Sequence, residues 1–282
     1  MRDHGGLLVS APDDYFDAYV FDLDGTIYLG EELLPGAREL LEHLRERGTQ
    51  RVFLSNNPTK TPAMYRDRLE RLGVAVDLSE VMNTVVSTVR WILSERPGAK
   101  VFPIADPPLV EAIRDAGITI TDDPREITLV VASYDHGFTY QKLQVAFDAL
   151  WRHRGAELIT TNPDRYCPFP DGAGEPDAAG IVAAIEATTG VSCSFNMGKP
   201  DQIMIDVALE NIVASRNRVV MVGDRLSTDI RMAHNAGIRS ALVLTGEATE
   251  LKSLEGQEFA PDFVVSRIDQ LAPGLVPTGV DL

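Results

Sequence analysis

Tyr19-Val20-Phe21-Asp22-Leu23-Asp24-Gly25-Thr26 is the stretch on which the fold turns. A short apolar run ends in one acid, and a second acid follows two positions later, just before a glycine. Unbroken apolar runs of this length suit strands buried on both faces of a parallel sheet. Open sheets of that kind hold ligands beyond the carboxyl ends of their strands. Asp22 is therefore expected to emerge at a site, with Gly25 letting the chain turn tightly behind Asp24. Taken alone, the same residues also suit a solvated acidic turn.

The surrounding chain favours the strand reading. Val52-Phe53-Leu54, Val219-Val220-Met221-Val222, Leu242-Val243-Leu244 and Phe263-Val264-Val265 each lie among turn or polar residues and read as further buried strands. Helical patterns fall between them. Thr61-Pro62 opens a helix that stops at Gly73, a second runs from Pro200 with Ile203, Val207 and Ile212 at helical spacing, and a third runs from Asp229 to about Ala236, before Gly237. Such alternation predicts an α/β fold with a Rossmann-like, doubly wound parallel sheet. The middle of the chain carries a series of its own: strands within Ile127 to Ala132 and Leu158 to Thr160, and amphipathic helices over Thr139 to Trp151 and Ala178 to Thr189. The strands on either side of this block end in related chemistry, so it reads as a smaller α/β domain inserted into the first. The expected segments are 1–83, 84–192 and 193–282.

Composition narrows the function. The 282 residues carry a formal net charge of −16, which opposes nonspecific binding to nucleic acid or to a membrane surface. It also disfavours anionic substrates at long range, so a phosphate ester would need a local positive pocket, which a divalent cation held by carboxylates can supply. No apolar run approaches the roughly 18 residues of a membrane span, and Met1 to Asp14 lacks the pattern of a secretory signal, so a cytoplasmic location is expected. Cys167 and Cys193 have neither CxxC spacing nor a Cys/His cluster and are expected to be reduced thiols. None of the five histidines forms a ligand cluster, and none is assigned chemistry.

Three further stretches add reactive groups at the ends of predicted elements. Ser55-Asn56-Asn57-Pro58 closes the strand Val52 to Leu54 with hydroxyl and amide groups that can donate to phosphoryl oxygens, or simply cap a turn. In Gly198-Lys199-Pro200, the glycine permits close backbone approach and holds a lysine just before a helix; the spaced glycines of a P-loop are absent. Gly223-Asp224-Arg225-Leu226-Ser227-Thr228-Asp229 follows the strand Val219 to Val222. Asp224 sits at its carboxyl end, as Asp22 does at the first, while Asp229 alone would equally suit the acid of a helix N-terminus. Acids at two strand ends, a hydroxyl at a third and a lysine between them form an ordered set.

That set resembles the four ordered motifs of the haloacid dehalogenase (HAD) superfamily, carried here by Asp22-Leu23-Asp24-Gly25-Thr26, by Ser55, by Lys199 and by Gly223-Asp224 with Asp229. Tyr28 through Gly36, Ser55-Asn56-Asn57, Thr161-Asn162-Pro163-Asp164 and Gly198-Lys199-Pro200 resemble the NagD-like, type IIA subfamily, and the likeness covers nearly the whole chain. About 30 residues separate Asp22 from Ser55, too few for a cap, whereas about 140 separate Ser55 from Lys199, so the cap belongs to the second interval.

The resemblance implies hydrolysis of small phosphorylated metabolites. Asp22 attacks phosphorus and becomes an aspartyl phosphate, while Asp24 protonates the leaving group and later takes a proton from water. Mg²⁺ is held by Asp22, Asp224 and the main-chain carbonyl of Asp24. Lys199 and Ser55 stabilise the transferring oxygens, and Asp229 stands behind the metal or orients Lys199. Thr26, Asn56 and Asn57 position the phosphate and its loops, and Asn162 and Asp164 face the substrate from the cap. The cap loop Arg165 to Gly172 is expected to face the leaving group. A homodimer through the cap is compatible with the resemblance. The competing readings are a phosphotransferase or phosphomutase with the same intermediate, and a receiver-like signalling module, which has no need of a second acid two residues after its acceptor.

Overall fold

In the computed structural model, the described residues are 10–169, 172–210, 212–247 and 260–275. They form two compact units: one within Met1–Ser55, Ala63–Val81 and Ala208–Leu282, the other within Asn56–Pro62 and Met82–Val207.

The first unit is built on a six-stranded sheet. Its order is Phe263–Val265, Arg239–Val243, Val219–Gly223, Ala18–Asp22, Gln50–Ser55 and Val81–Asn83. Ala18–Asp22 lies parallel to both its neighbours, pairing Phe21 with Val222 and Asp22 with Leu54. Every residue of Ala18–Asp22 and of Val219–Gly223 is buried, as strands covered on both faces require. The register brings the ends of these two strands to the same edge of the sheet. Helix Ala37–Glu46 buries Ala37, Leu40, Leu41 and Leu44, the spacing of a single helical face, in a core shared with Phe21, Phe53 and Val222. Gly36, at φ 86°, makes the left-handed turn into that helix.

The second unit has a five-stranded parallel sheet in the order Phe195–Asn196, Glu157–Thr160, Leu129–Ala132, Lys100–Ile104 and Thr119–Ile120. Alternate residues of its central strands feed two separate cores. Val101, Val131 and Ile159 pack with helices Thr84–Glu95 and Pro107–Asp115. Phe102, Val130 and Leu158 pack with the helix Tyr140–Phe147, its wide last turn Asp148–His153, and helix Ala178–Thr189. The period-two alternation of a strand thus accounts for a sheet covered by helices on both faces. An antiparallel hairpin, Tyr166–Pro168 with Gly174–Pro176, precedes helix Ala178–Thr189.

Three local features depart from the sequence expectation. The helix after Lys199 spans Gln202–Leu209, so Ile212 lies beyond it. The segment expected to be helical from Asp229 starts as a wide turn, Leu226–Ile230, and becomes α-helical at Arg231–Ala236. Its apolar spacing is compatible with either winding, and the turn carries Asp229 N–H back to the carbonyl of Arg225 at 3.1 Å. Phe195–Asn196 is too short to leave a sequence pattern, yet it pairs with Ile159 and Thr160, and the second unit continues to Val207.

Candidate active site

The shared strand edge of the first unit gathers acids. Asp22 ends its strand, Asp224 follows Gly223 directly, and the wide turn after it returns Asp229 to the same place. Carboxylate oxygens of these three buried residues all lie within 4.8 Å of one another, the group of potential metal ligands found among the described residues. Three carboxylates this close in a poorly solvated site repel one another strongly unless a cation stands among them, and an all-oxygen donor set suits a hard divalent ion.

Neighbouring backbone shapes the cluster. Asp224 Oδ2 accepts the Glu247 N–H at 2.6 Å, and Asp229 Oδ2 accepts the Arg225 N–H at 3.1 Å. Gly25 and Gly246 both close on the Asp224 carboxyl. A Cβ on Gly25 would sit 2.6 Å from Asp224 Oδ2, and one on Gly246 would overlap the same carboxyl group. Thr245 Oγ1 donates to the Gly25 carbonyl at 2.7 Å, tying the loop after strand Arg239–Val243 to the turn after Asp22. The sequence holds no signal for this loop beyond a glycine after a strand.

Asp24 is placed differently. Its side chain is 59 % exposed, and Arg68 Nη1 lies 4.0 Å from its Oδ1. The Tyr28 hydroxyl donates to Oδ2 at 3.4 Å, and the Arg68 guanidinium lies 4.1 Å from the Tyr28 ring centroid. Burial, followed by the charge of Asp24, pushes the Tyr28 hydroxyl well above its usual pKa, so it stays a donor. Thr26 is fully buried, and its Oγ1 has no hydrogen-bond partner among the described residues. Ser55 is buried, with Oγ 2.9 Å from the Tyr65 hydroxyl. Arg68 and Tyr65 lie on the helix Pro62–Arg71, and their parts in this edge carry no sequence signature.

The remaining candidates belong to the second unit. Lys199 is buried, joined to Pro200 by a cis peptide bond, and its main chain is gripped by Asn56. Asn56 Oδ1 accepts the Lys199 N–H at 2.8 Å, and Nδ2 donates to the Lys199 carbonyl at 3.1 Å and to Asp164 Oδ2 at 2.9 Å. Asn57 organises its own turn, accepting from Thr59 N–H and Oγ1 at 2.8 and 2.6 Å. Asn162 is fully buried, donating to Asp164 Oδ2 and to Asp177 Oδ1, each at 3.0 Å.

The cap loop is the hairpin Tyr166–Pro176, with Tyr166 and Phe169 exposed; Pro170 and Asp171 lie outside the described residues. Glu175 on its second strand accepts from Tyr134 Oη and lies 3.2 Å from His136 Nε2, and His136 Nδ1 lies 2.6 Å from Asp106 Oδ2. The hydrogen bond to Asp106 raises the His136 pKa, and the one from Tyr134 lowers that of Glu175. Asp106, His136 and Glu175 are far apart along the chain, so their meeting leaves no pattern in the sequence. Burial pushes the Cys193 thiol up to about 11, and Cys167 Sγ accepts from Asn57 Nδ2 at 3.9 Å. No helix among the described residues is long and apolar enough to cross a membrane.

Known proteins resemble this chain in sequence and in fold. A family model of haloacid dehalogenase-like hydrolases matches residues 19–119, and a second, HAD-hydrolase-like model matches residues 196–271. An acid sugar phosphatase of Staphylococcus aureus strain USA300 is 33% identical over 248 residues, 88% of this chain and 93% of the relative. The crystal structure of a 4-nitrophenylphosphatase from Thermotoga maritima superposes with a TM-score of 0.85 at 36% identity, covering 93% of this chain and 98% of that one. NagD from Escherichia coli K-12 gives a TM-score of 0.83 at 26% identity, over 92% of this chain and 100% of its own. With its parallel core sheet, its added cap elements and these relatives, the chain belongs to the haloacid dehalogenase-like hydrolases as a NagD-like phosphatase.

Proposed function

We propose that the protein hydrolyses small phosphomonoesters in the cytoplasm through an aspartyl phosphate on Asp22, with Mg²⁺ as its cofactor. The observation that carries this reading is the convergence of Asp22, Asp224 and Asp229, all buried, with carboxylate oxygens within 4.8 Å of one another at a parallel-sheet edge. In such a site Asp22 and Asp224, with the main-chain carbonyl of Asp24, would hold Mg²⁺, and Asp229 would stand behind the metal or orient Lys199. The ion would offset the repulsion between a carboxylate nucleophile and its anionic substrate. Asp22 attacks phosphorus, and the leaving alkoxide takes a proton from Asp24, whose exposed carboxyl can reach an incoming ester. Asp24 then accepts a proton from the water that hydrolyses the intermediate. Lys199 and Ser55 neutralise and donate to the transferring oxygens, while Thr26, Asn56 and Asn57 hold the loops that carry them. The segment 84–192 supplies most of the cap, and its hairpin selects the leaving group. Acid sugar phosphatase and 4-nitrophenylphosphatase activities among the relatives support small phosphate esters as substrates.

Metal removal tests the reading directly. Exhaustive chelation should abolish release of phosphate from p-nitrophenyl phosphate, and Mg²⁺ should restore it after dialysis. Full activity in excess chelator would refute the cofactor. Acid quenching during turnover, followed by peptide mass spectrometry, should find phosphate on Asp22; transfer to an added alcohol in preference to water would make the enzyme a phosphotransferase.

A further inference from the structure

The carboxamide of Asn56 lies against the Lys199 peptide much as one strand lies against another, accepting from its N–H at 2.8 Å and donating to its C=O at 3.1 Å. A side-chain amide swings about two bonds, so it can hold a peptide in place only if it is itself held. The second Asn56 Nδ2 hydrogen goes to Asp164 Oδ2 at 2.9 Å. That oxygen also accepts from Asn162 Nδ2 at 3.0 Å, and the other Asn162 amide hydrogen goes to Asp177 Oδ1 at 3.0 Å. Thr161 Oγ1 donates to Asn162 Oδ1 at 2.8 Å, which fixes the orientation of that amide. Asp177 Oδ1 in turn accepts the Ala178 N–H at 2.6 Å, at the start of helix Ala178–Thr189. Room around the lysine loop is equally restricted. A Cβ on Gly198 would come within 2.7 Å of the Thr161 carbonyl oxygen and 2.8 Å of Asn56 Oδ1.

The same residues close the base of the hairpin. Asp164 and Arg165 lead into Tyr166–Pro168, and Asp177 follows Gly174–Pro176. The Asp177 N–H donates to the Arg165 carbonyl at 3.2 Å, and the Ala179 N–H to the Asp164 carbonyl at 3.1 Å. Both amide hydrogens of Asn162 are taken up inside this network, which leaves its amide nitrogen no hydrogen for a substrate.

We propose that Asp164 and Asn162 are positioning residues: acting through Asn56, they fix the peptide of Lys199 and tie it to the base of the cap hairpin. The inference rests on the reading of Lys199 as the cation that stabilises the transferring phosphoryl oxygens. Misplacing that cation slows phosphoryl transfer whatever the leaving group, whereas losing a substrate contact would slow some esters and spare others.

A double-mutant cycle on the full chain tests this. Asp164→Ala should lower kcat about 10–100-fold, by similar factors on p-nitrophenyl phosphate and on an alkyl phosphate. In a Lys199→Ala background the same change should cost less than about twofold, because the group it positions has gone. Asp164→Asn should recover most of the loss, since its Oδ1 can accept both amide hydrogens that Oδ2 accepts now. Additive losses in the cycle, or an Asn variant as impaired as the Ala variant, would overturn the proposal. If Lys199→Ala alone leaves turnover unchanged, the reading of Lys199 falls and the proposal falls with it. Should Asp164→Ala melt below the assay temperature, Asn162→Ser takes its place in the cycle, and the same non-additivity is required.

Discussion

Asp177→Asn should stabilise the protein at neutral pH and leave it unchanged in acid. Burial raises the Asp177 carboxyl from 3.8 to about 6; Asp164 and Glu175 add to the rise, while hydrogen bonds from Asn162 and from Ala178 N–H oppose it. A carboxyl whose folded pKa is raised holds its proton in the folded state after the unfolded chain has released it. Between pH 3.8 and about 6 the folded state therefore binds more protons, and stability falls as pH rises through that window. A shift of about two units corresponds to about 3 kcal/mol at most, lost by the time the pH passes the folded value. Asparagine carries no charge to desolvate, and its Oδ1 can accept the same two hydrogen bonds. Denaturant unfolding at pH 7.5 should show the variant more stable by about 1–3 kcal/mol, and at pH 3.5 the two proteins should coincide. In thermal unfolding at pH 7.5 this is a rise of about 2–10 °C. A variant less stable than wild type at pH 7.5, or a difference independent of pH, would refute the reasoning, because the charge of Asp177 would then be an asset to the network.

Other perturbations separate chemistry from architecture. Asp24→Asn should slow hydrolysis of an alkyl phosphate by roughly 10²–10⁴-fold, because the alkoxide loses its proton donor. On p-nitrophenyl phosphate the same variant should give a burst of nitrophenol and then slow turnover; wild-type turnover on alkyl esters would remove Asp24 from the mechanism. Gly246→Ala places a methyl group into the Asp224 carboxyl, so activity should fall by at least about tenfold and the Mg²⁺ requirement should rise in a metal titration. An unchanged titration would mean that the loop yields instead. Replacing Arg165 to Phe169 with a glycine-serine segment should change the ranking of phosphate esters more than it lowers the best rate, with melting measured alongside. Equal proportional losses on every ester would argue against selection by the hairpin.

Much of this protein is legible in one dimension. The apolar runs ending in Asp22, Ser55 and Gly223-Asp224 mark strand ends because a strand covered on both faces must be apolar, and its first polar residue marks where cover stops. The interval between Ser55 and Lys199 is long enough to hold a second sheet. These are local or length-based properties, and each survives without knowledge of what packs on what.

Only the tertiary structure decided the rest. Asp229 suits a helix start in sequence, yet a wide turn brings its carboxylate beside Asp22 and Asp224. Asn162 and Asp164 lie in a motif whose residue types say nothing of their partners; the structure gives both Asn162 amide hydrogens to Asp164 and Asp177, and one of Asn56 to Asp164. Tyr65 beside Ser55, Arg68 beside Asp24, the Gly246 loop under Asp224 and His136 between Asp106 and Glu175 were not readable in advance. The partners in each pair stand from 10 to 44 positions apart, or fall on elements with no distinguishing pattern. A side-chain hydrogen bond depends on distances of a few tenths of an ångström and on angle. Periodicity carries which face of an element is buried; it carries nothing about which polar atom, from which distant segment, arrives to meet it.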